Sequence, residues 1–127
     1  MRGLPGLSAP THNRGRGSAA EKAALRWLRR QGYRPLARNV VTRAGEIDLV
    51  AAEAETLCFI EIKARSGGRY GPAIAAVDRR KQRRLARAAA LFLTRRPHSG
   101  PCRFDVLGID AAGDGWRFTL IRDAFQA

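Results

Sequence analysis

The sequence predicts an α/β fold in which helices flank a central mixed β-sheet. Three observations carry that reading. A helical apolar period opens the ordered part of the chain, three strand-like runs follow, and a long basic helix precedes two more strand-like runs. At 127 residues, with 45% hydrophobic content, the chain fits one domain with one core.

Residues 1–17 are rich in Gly, Pro and Arg, lack an apolar period, and read as a flexible basic arm before a single domain at 18–127. The first helix is expected to start at Ser18. Ser18 and Glu21 match the S-x-x-E capping box, Ala24, Trp27 and Leu28 give the apolar stripe, and Gly32 suits the helix end. The first strand is Tyr33–Thr42, where Pro35 suits an edge or a strand start. The second is Glu46–Ala52 and the third Thr56–Ala64, joined by a hairpin loop at Glu53–Glu55. Residues 66–72 read as a loop. A helix follows from about Ala73 to Arg96, with Ile74, Val77, Leu85, Ala88 and Phe92 on its stripe. The last strands are Cys102–Asp110 and Trp116–Arg122, around the turn AAGDG. Cys58 and Cys102 lie in apolar runs and read as reduced core cysteines.

Charge is the strongest compositional signal. Basic residues outnumber acidic ones 24 to 11, giving a net charge of +13 and a pI near 11.5. A polyanionic partner follows, with DNA favoured over RNA and a membrane surface disfavoured. No apolar run reaches the roughly 18 residues of a membrane span, and the N-terminus has no signal-peptide apolar region, so a cytoplasmic location is expected.

Charges are out of place inside apolar strands, yet the second strand reads Glu46-Ile47-Asp48-Leu49-Val50 and the third Phe59-Ile60-Glu61-Ile62-Lys63. Pairing Leu49 with Ile60 and Ile47 with Ile62 would gather the aliphatic residues on one face. The same register sets Asp48 opposite Glu61 and Glu46 opposite Lys63. Two such carboxylates repel unless a cation joins them, and Mg²⁺ or Mn²⁺ is the simplest choice, completed by water and phosphate oxygens. Lys63 would orient the attacking water or meet the scissile phosphate. The plainer alternative is a cross-strand ion pair on a solvated face. Among 21 arginines the chain keeps only Lys22, Lys63 and Lys81. Lys81 falls on the apolar stripe of the long helix, which directs it toward the sheet.

The helix with its glutamate, then GEIDLVA, FIEIKAR, a basic helix and RFDV, resembles the YraN-like family over roughly residues 15–110. That family is regarded as predicted endonucleases of the restriction-endonuclease-like, PD-(D/E)xK type, similar to archaeal Holliday-junction resolvases. The resemblance implies a restriction-endonuclease-like α/β/α sandwich, with Asp48 and Glu61 as metal ligands and Lys63 as the catalytic lysine. It adds Glu21 as an acidic residue assisting metal or water binding, although the capping box also accounts for Glu21. Glu46 and Asp105 take supporting places, and the proline of the literal "PD" is absent. A homodimer is implied by the resolvase resemblance alone.

Arg80, Lys81, Arg84 and Arg87 on the long helix, with Arg65 and Arg69 after the ExK strand, are expected to bind the phosphate backbone. No base-reading module is evident. The expectation is a metal-dependent endonuclease that hydrolyses phosphodiester bonds in branched or damaged DNA. The alternative is a non-catalytic DNA- or RNA-binding protein that retains a nuclease fold.

Overall fold

The computed structural model describes residues 14–65 and 77–126, with backbone alone at 14–18 and 65. The element order is α1 (Arg14–Arg30), β1 (Tyr33–Thr42), β2 (Gly45–Glu53), β3 (Thr56–Arg65), α2 (Arg79–Arg95), β4 (Cys102–Ala112) and β5 (Gly115–Phe125). The five strands lie in sequence order in one sheet. β3 and β4 run parallel, across the connection that contains α2, and the other neighbours are antiparallel.

Alternation along the strands sends side chains to two separate cores. Leu49, Ala51, Cys58, Ile60, Leu107 and Ile109 pack under Ala20, Ala24 and Leu28 of α1. Val50, Leu57 and Phe59 pack on the other side under Ala88, Ala89 and Phe92 of α2. The fold is therefore an open mixed sheet between two helical layers, consistent with a restriction-endonuclease-like α/β architecture. Ala20 and Ala24, one turn apart, let α1 approach closely, while Trp27 stacks on Phe118 of β5 at 5.2 Å. On α2, Leu85, Ala88, Ala89 and Phe92 form the apolar stripe, and Phe92 meets Phe59 edge-on at 5.8 Å.

Pro35 lies in an edge strand, beside an irregularity between Pro35 and Ala37. Gly32 follows α1 with φ +104, a conformation that side chains with a Cβ resist. The β2–β3 connection is a two-residue turn, Ala54–Glu55, closed by the Glu53–Thr56 pair.

Several expectations need correction. α1 begins at Arg14, so Ser18 and Glu21 lie inside it and form no capping box at its start. A residue within the helix finds the nearby N–H groups already bonded to the turn before. Of the basic arm, residues 14–17 are thus helical, and residues 1–13 lie outside the described residues. α2 begins at Arg79 rather than near Ala73, because Asp78 caps it. Asp78 is extended (φ −78°, ψ 178°), and its Oδ1 accepts the Lys81 N–H at 2.9 Å. Val77 precedes the helix and is buried against Leu85 and Val106. The expected loop at 66–72 and Ile74 fall outside the described residues. Both cysteines are free, but only Cys58 is buried; Cys102 is exposed where β4 enters the sheet.

Among the described residues no helix is long and apolar enough to cross a membrane.

Candidate functional site

The β2–β3 ladder holds the predicted register, with Leu49 opposite Ile60, and its pairs run from there to the turn. Beyond Leu49 and Ile60 the strands keep their outer neighbours instead. β2 pairs with β1 as far as Gly45, and β3 pairs with β4 as far as Arg65. The candidate acids lie where the two strands part.

Asp48 fills this parting. Its Oδ2 accepts the main-chain N–H of Ile62 at 2.8 Å, so a side chain takes the place of a strand carbonyl. The expected pairing of Ile47 with Ile62 on one aliphatic face does not occur. Ile62 packs with the α1-side core, whereas Ile47 belongs to the α2-side core. In a regular strand Ile47 and Leu49 would share a face, yet they lie in different cores, so β2 swivels at Asp48.

The sequence-predicted residues distribute around this swivel. Glu61, 5% exposed, sits on β3 and receives Lys81 Nζ at 2.7 Å from α2. Glu61 is within hydrogen-bonding reach of the Asp48 carboxyl. Lys63 is half-buried two residues further on, and its side chain lies near that of Lys81. Glu21 lines a solvent-open cleft on the α1 side together with Leu25, Arg38, Asn39, Asp48, Leu49 and Ile62. Glu46 is exposed, near enough for its charge to act on Asp48. Asp48, Glu61, Lys63 and Lys81 are thus one cluster, and Glu21 lines the same cleft as Asp48.

Electrostatics follow from this geometry. The Asp48 carboxyl is pushed well above the ordinary carboxylate range, first by burial and then by the charge of Glu61, with Glu46 adding to it. The Ile62 N–H opposes the rise without cancelling it. Burial lowers the Lys81 ammonium, but its hydrogen bond with Glu61 and the charges of Glu61 and Asp48 outweigh that, so its pKa ends raised. The cluster is short of positive charge at Asp48 and supplied with it at Glu61.

That imbalance fits a divalent cation. Two carboxyls within hydrogen-bonding reach suffice for Mg²⁺ or Mn²⁺, whose other positions go to water and phosphate. Among the described residues no cluster of three or more His, Cys, Asp or Glu adds a further side-chain ligand. Glu21 therefore faces the cleft without completing a triad.

The basic surface lies on α2. Arg79, Arg80, Arg83, Arg84 and Arg87 are exposed, while Lys81 turns to Glu61. The Arg84 stem crosses the β1–β2 turn at Gly45, where an added Cβ would meet Arg84 Cγ at 3.0 Å and φ is +147. Thr42 fixes this turn, its Oγ1 accepting from the Ala44 and Gly45 N–H groups and donating to the Gly45 carbonyl. Arg69 lies outside the described residues, and Arg65 is placed only as the last backbone position of β3.

Asp105 is elsewhere. Fully buried, it accepts Tyr33 Oη at 2.7 Å, Arg103 Nε at 2.9 Å and the Asp123 N–H at 2.9 Å. Arg103 and Arg122 both reach Glu53 at the β2–β3 turn end. This network ties β1, β2, β4 and β5 together, and none of its members belongs to the cluster. Arg38 and Asn39 were not singled out from sequence. Their signal is register: the β1–β2 hairpin brings them beside Asp48.

A family model described as "Uncharacterised protein family UPF0102" matches residues 20–109, from α1 through most of β4. The chain belongs to the UPF0102 family. It is 50% identical over 113 residues to a UPF0102 protein of Symbiobacterium thermophilum, covering 87% of this chain and 96% of that one. A UPF0102 protein of Burkholderia thailandensis is 49% identical over 112 residues, 87% of this chain and 75% of the relative. One from Bordetella parapertussis is 50% identical over 115 residues, 86% of this chain and 63% of the longer relative. The span matched to UPF0102 contains Glu21, Asp48, Glu61, Lys63 and Lys81, and so the whole cluster.

Proposed function

We propose that this chain is a Mg²⁺- or Mn²⁺-dependent endonuclease that hydrolyses DNA phosphodiester bonds, selecting branched or damaged structures. The approach of the Asp48 and Glu61 carboxyls at the strand parting, beside Lys63 and Lys81, supports it most strongly. Asp48 and Glu61 would hold the cation, with Glu21 in the same cleft to order water. When bound, such an ion polarises a phosphate oxygen and makes a nearby water more acidic.

The chain's own groups set up the rest. Lys63 orients the attacking water, and as a compact ammonium it can also offset charge on the phosphate. Lys81 holds the Glu61 carboxylate in place from α2. The exposed arginines of α2 grip backbone phosphates, which carry no base identity, so recognition is of shape rather than sequence.

A cleavage assay tests this on four-way junction, flap, single-stranded and duplex DNA with Mg²⁺ and with Mn²⁺. Glu61→Ala and Lys63→Ala should abolish metal-dependent cutting while leaving DNA binding in place. Equal cleavage by wild type and Glu61→Ala overturns the proposal.

One observation favours a second reading, binding without cleavage. Lys81 already supplies Glu61 with a counter-ion. On that reading Asp48→Asn, which keeps the acceptor for the Ile62 N–H, and Lys63→Ala leave biological activity intact, whereas removing the α2 arginines abolishes it.

A further inference from the structure

Among the described residues, three non-glycine residues have positive φ: Asn39 (49°), Ala54 (52°) and Asp123 (54°). Two have local reasons. Ala54 occupies the two-residue β2–β3 turn, and Asp123 gives its N–H to Asp105 Oδ1 where the β4–β5 register shifts. Asn39 has neither. It lies within β1, between the pairs Arg38–Leu49 and Val40–Ile47, in unshifted register. The residue opposite it is Asp48.

We infer that Asn39 is a positioning residue whose left-handed backbone turns the Asp48 carboxylate out of the sheet face and into the parting between β2 and β3. A left-handed residue rotates its peptide groups away from the ladder and distorts the rung it shares. The distortion appears across the rung, where Ile47 and Leu49 fall into opposite cores and Asp48 bonds Ile62. Asparagine tolerates this conformation better than other residues with a Cβ, and β-branched residues refuse it. Strain of this kind persists where surrounding structure imposes it, commonly at a functional site. Asn39 itself lines the cleft with Glu21 and Asp48.

The metal readout of this inference rests on the nuclease proposal; its structural readout does not. Asn39→Gly keeps the backbone conformation and deletes the amide, Asn39→Val resists the conformation, and Asn39→Ala disfavours it more mildly. The measurements are hydrogen exchange of the Ile62 amide by NMR in metal-free buffer and Mn²⁺ titration by calorimetry. Asn39→Gly should match wild type in both. Asn39→Val should exchange the Ile62 amide at least roughly tenfold faster and bind Mn²⁺ about 10–100-fold more weakly. Should Asn39→Val not fold, Asn39→Ala is expected to move in the same direction. Wild-type Ile62 protection in the folded Val variant, or in the Ala variant if Val does not fold, overturns the inference, as does its loss in the Gly variant. If wild type binds no Mn²⁺ while the Ile62 pattern holds, the nuclease reading fails and the positioning role stands.

Discussion

Lys81 Nζ lies 2.7 Å from Glu61 Oε2, so a single ion pair joins the second helix to the acidic centre of the sheet. Glu61 is 5% exposed, and Asp48 lies beside it. Lys81→Met keeps the aliphatic stem and removes the counter-charge. We expect a loss of about 2 kcal/mol in urea denaturation without metal, the usual scale for a hydrogen bond to a charged group. Mn²⁺ should then raise the melting temperature more in the variant than in wild type, since the ion replaces the missing charge.

Asp48 predicts a pH dependence. Its carboxyl keeps a proton in the folded chain that the unfolded chain releases above the ordinary value of 3.8. The folded state then binds more protons than the unfolded one, so stability falls as pH rises from that value toward the raised folded pKa. Asp48→Asn removes this slope, and its amide oxygen can still accept the Ile62 N–H. Without metal, Asp48→Asn should exceed wild type by about 1–2 kcal/mol near pH 8, with a smaller difference near pH 5. Urea denaturation in EDTA at both pH values reads this directly.

The arginines of α2 should appear in the salt dependence of DNA binding. Each phosphate contact contributes about 0.9 to the slope of log affinity against log salt on duplex DNA. Replacing Arg80, Arg84 and Arg87 by alanine should lower that slope by about 2–3 without changing sequence preference. Gly45→Ala should cost about 1–3 kcal/mol, because its Cβ meets the Arg84 stem and its φ of +147 strains any side chain.

The Asp105 network should govern stability alone. Tyr33→Phe removes one donor to a buried carboxylate and should cost about 1–3 kcal/mol. Asp105→Ala removes the buried acceptor shared by Tyr33, Arg103 and the Asp123 N–H, leaving Arg103 only Glu53, and should cost about 3–5 kcal/mol. Asn39, Asp48 and Glu61 are not among its members, so Mn²⁺ affinity of the folded Tyr33→Phe variant should match wild type.

Much of this was legible in the sequence, for reasons particular residues show. Leu49 and Ile60 set the hairpin register because a one-residue slip would expose both aliphatic sets. Lys81 was legible because the helical period puts it one turn before Leu85, on the stripe that faces the sheet. Ser18 misled because a capping motif inside a helix looks the same as one at its start. The swivel at Asp48 was hidden because period-two reasoning assumes regular strands, and one left-handed asparagine breaks that assumption. Asp78 marked the start of α2, but the apolar residues before it extended the apparent period toward Ala73.

Because Asp48 stands in for a main-chain acceptor, position 48 answers to the architecture of the sheet whatever its chemistry. A relative with no hydrolytic chemistry would still need an oxygen there to hold the second and third strands together. An aspartate retained in a distant relative therefore testifies to architecture before it testifies to chemistry, whereas the side chain of Lys63 replaces no strand acceptor.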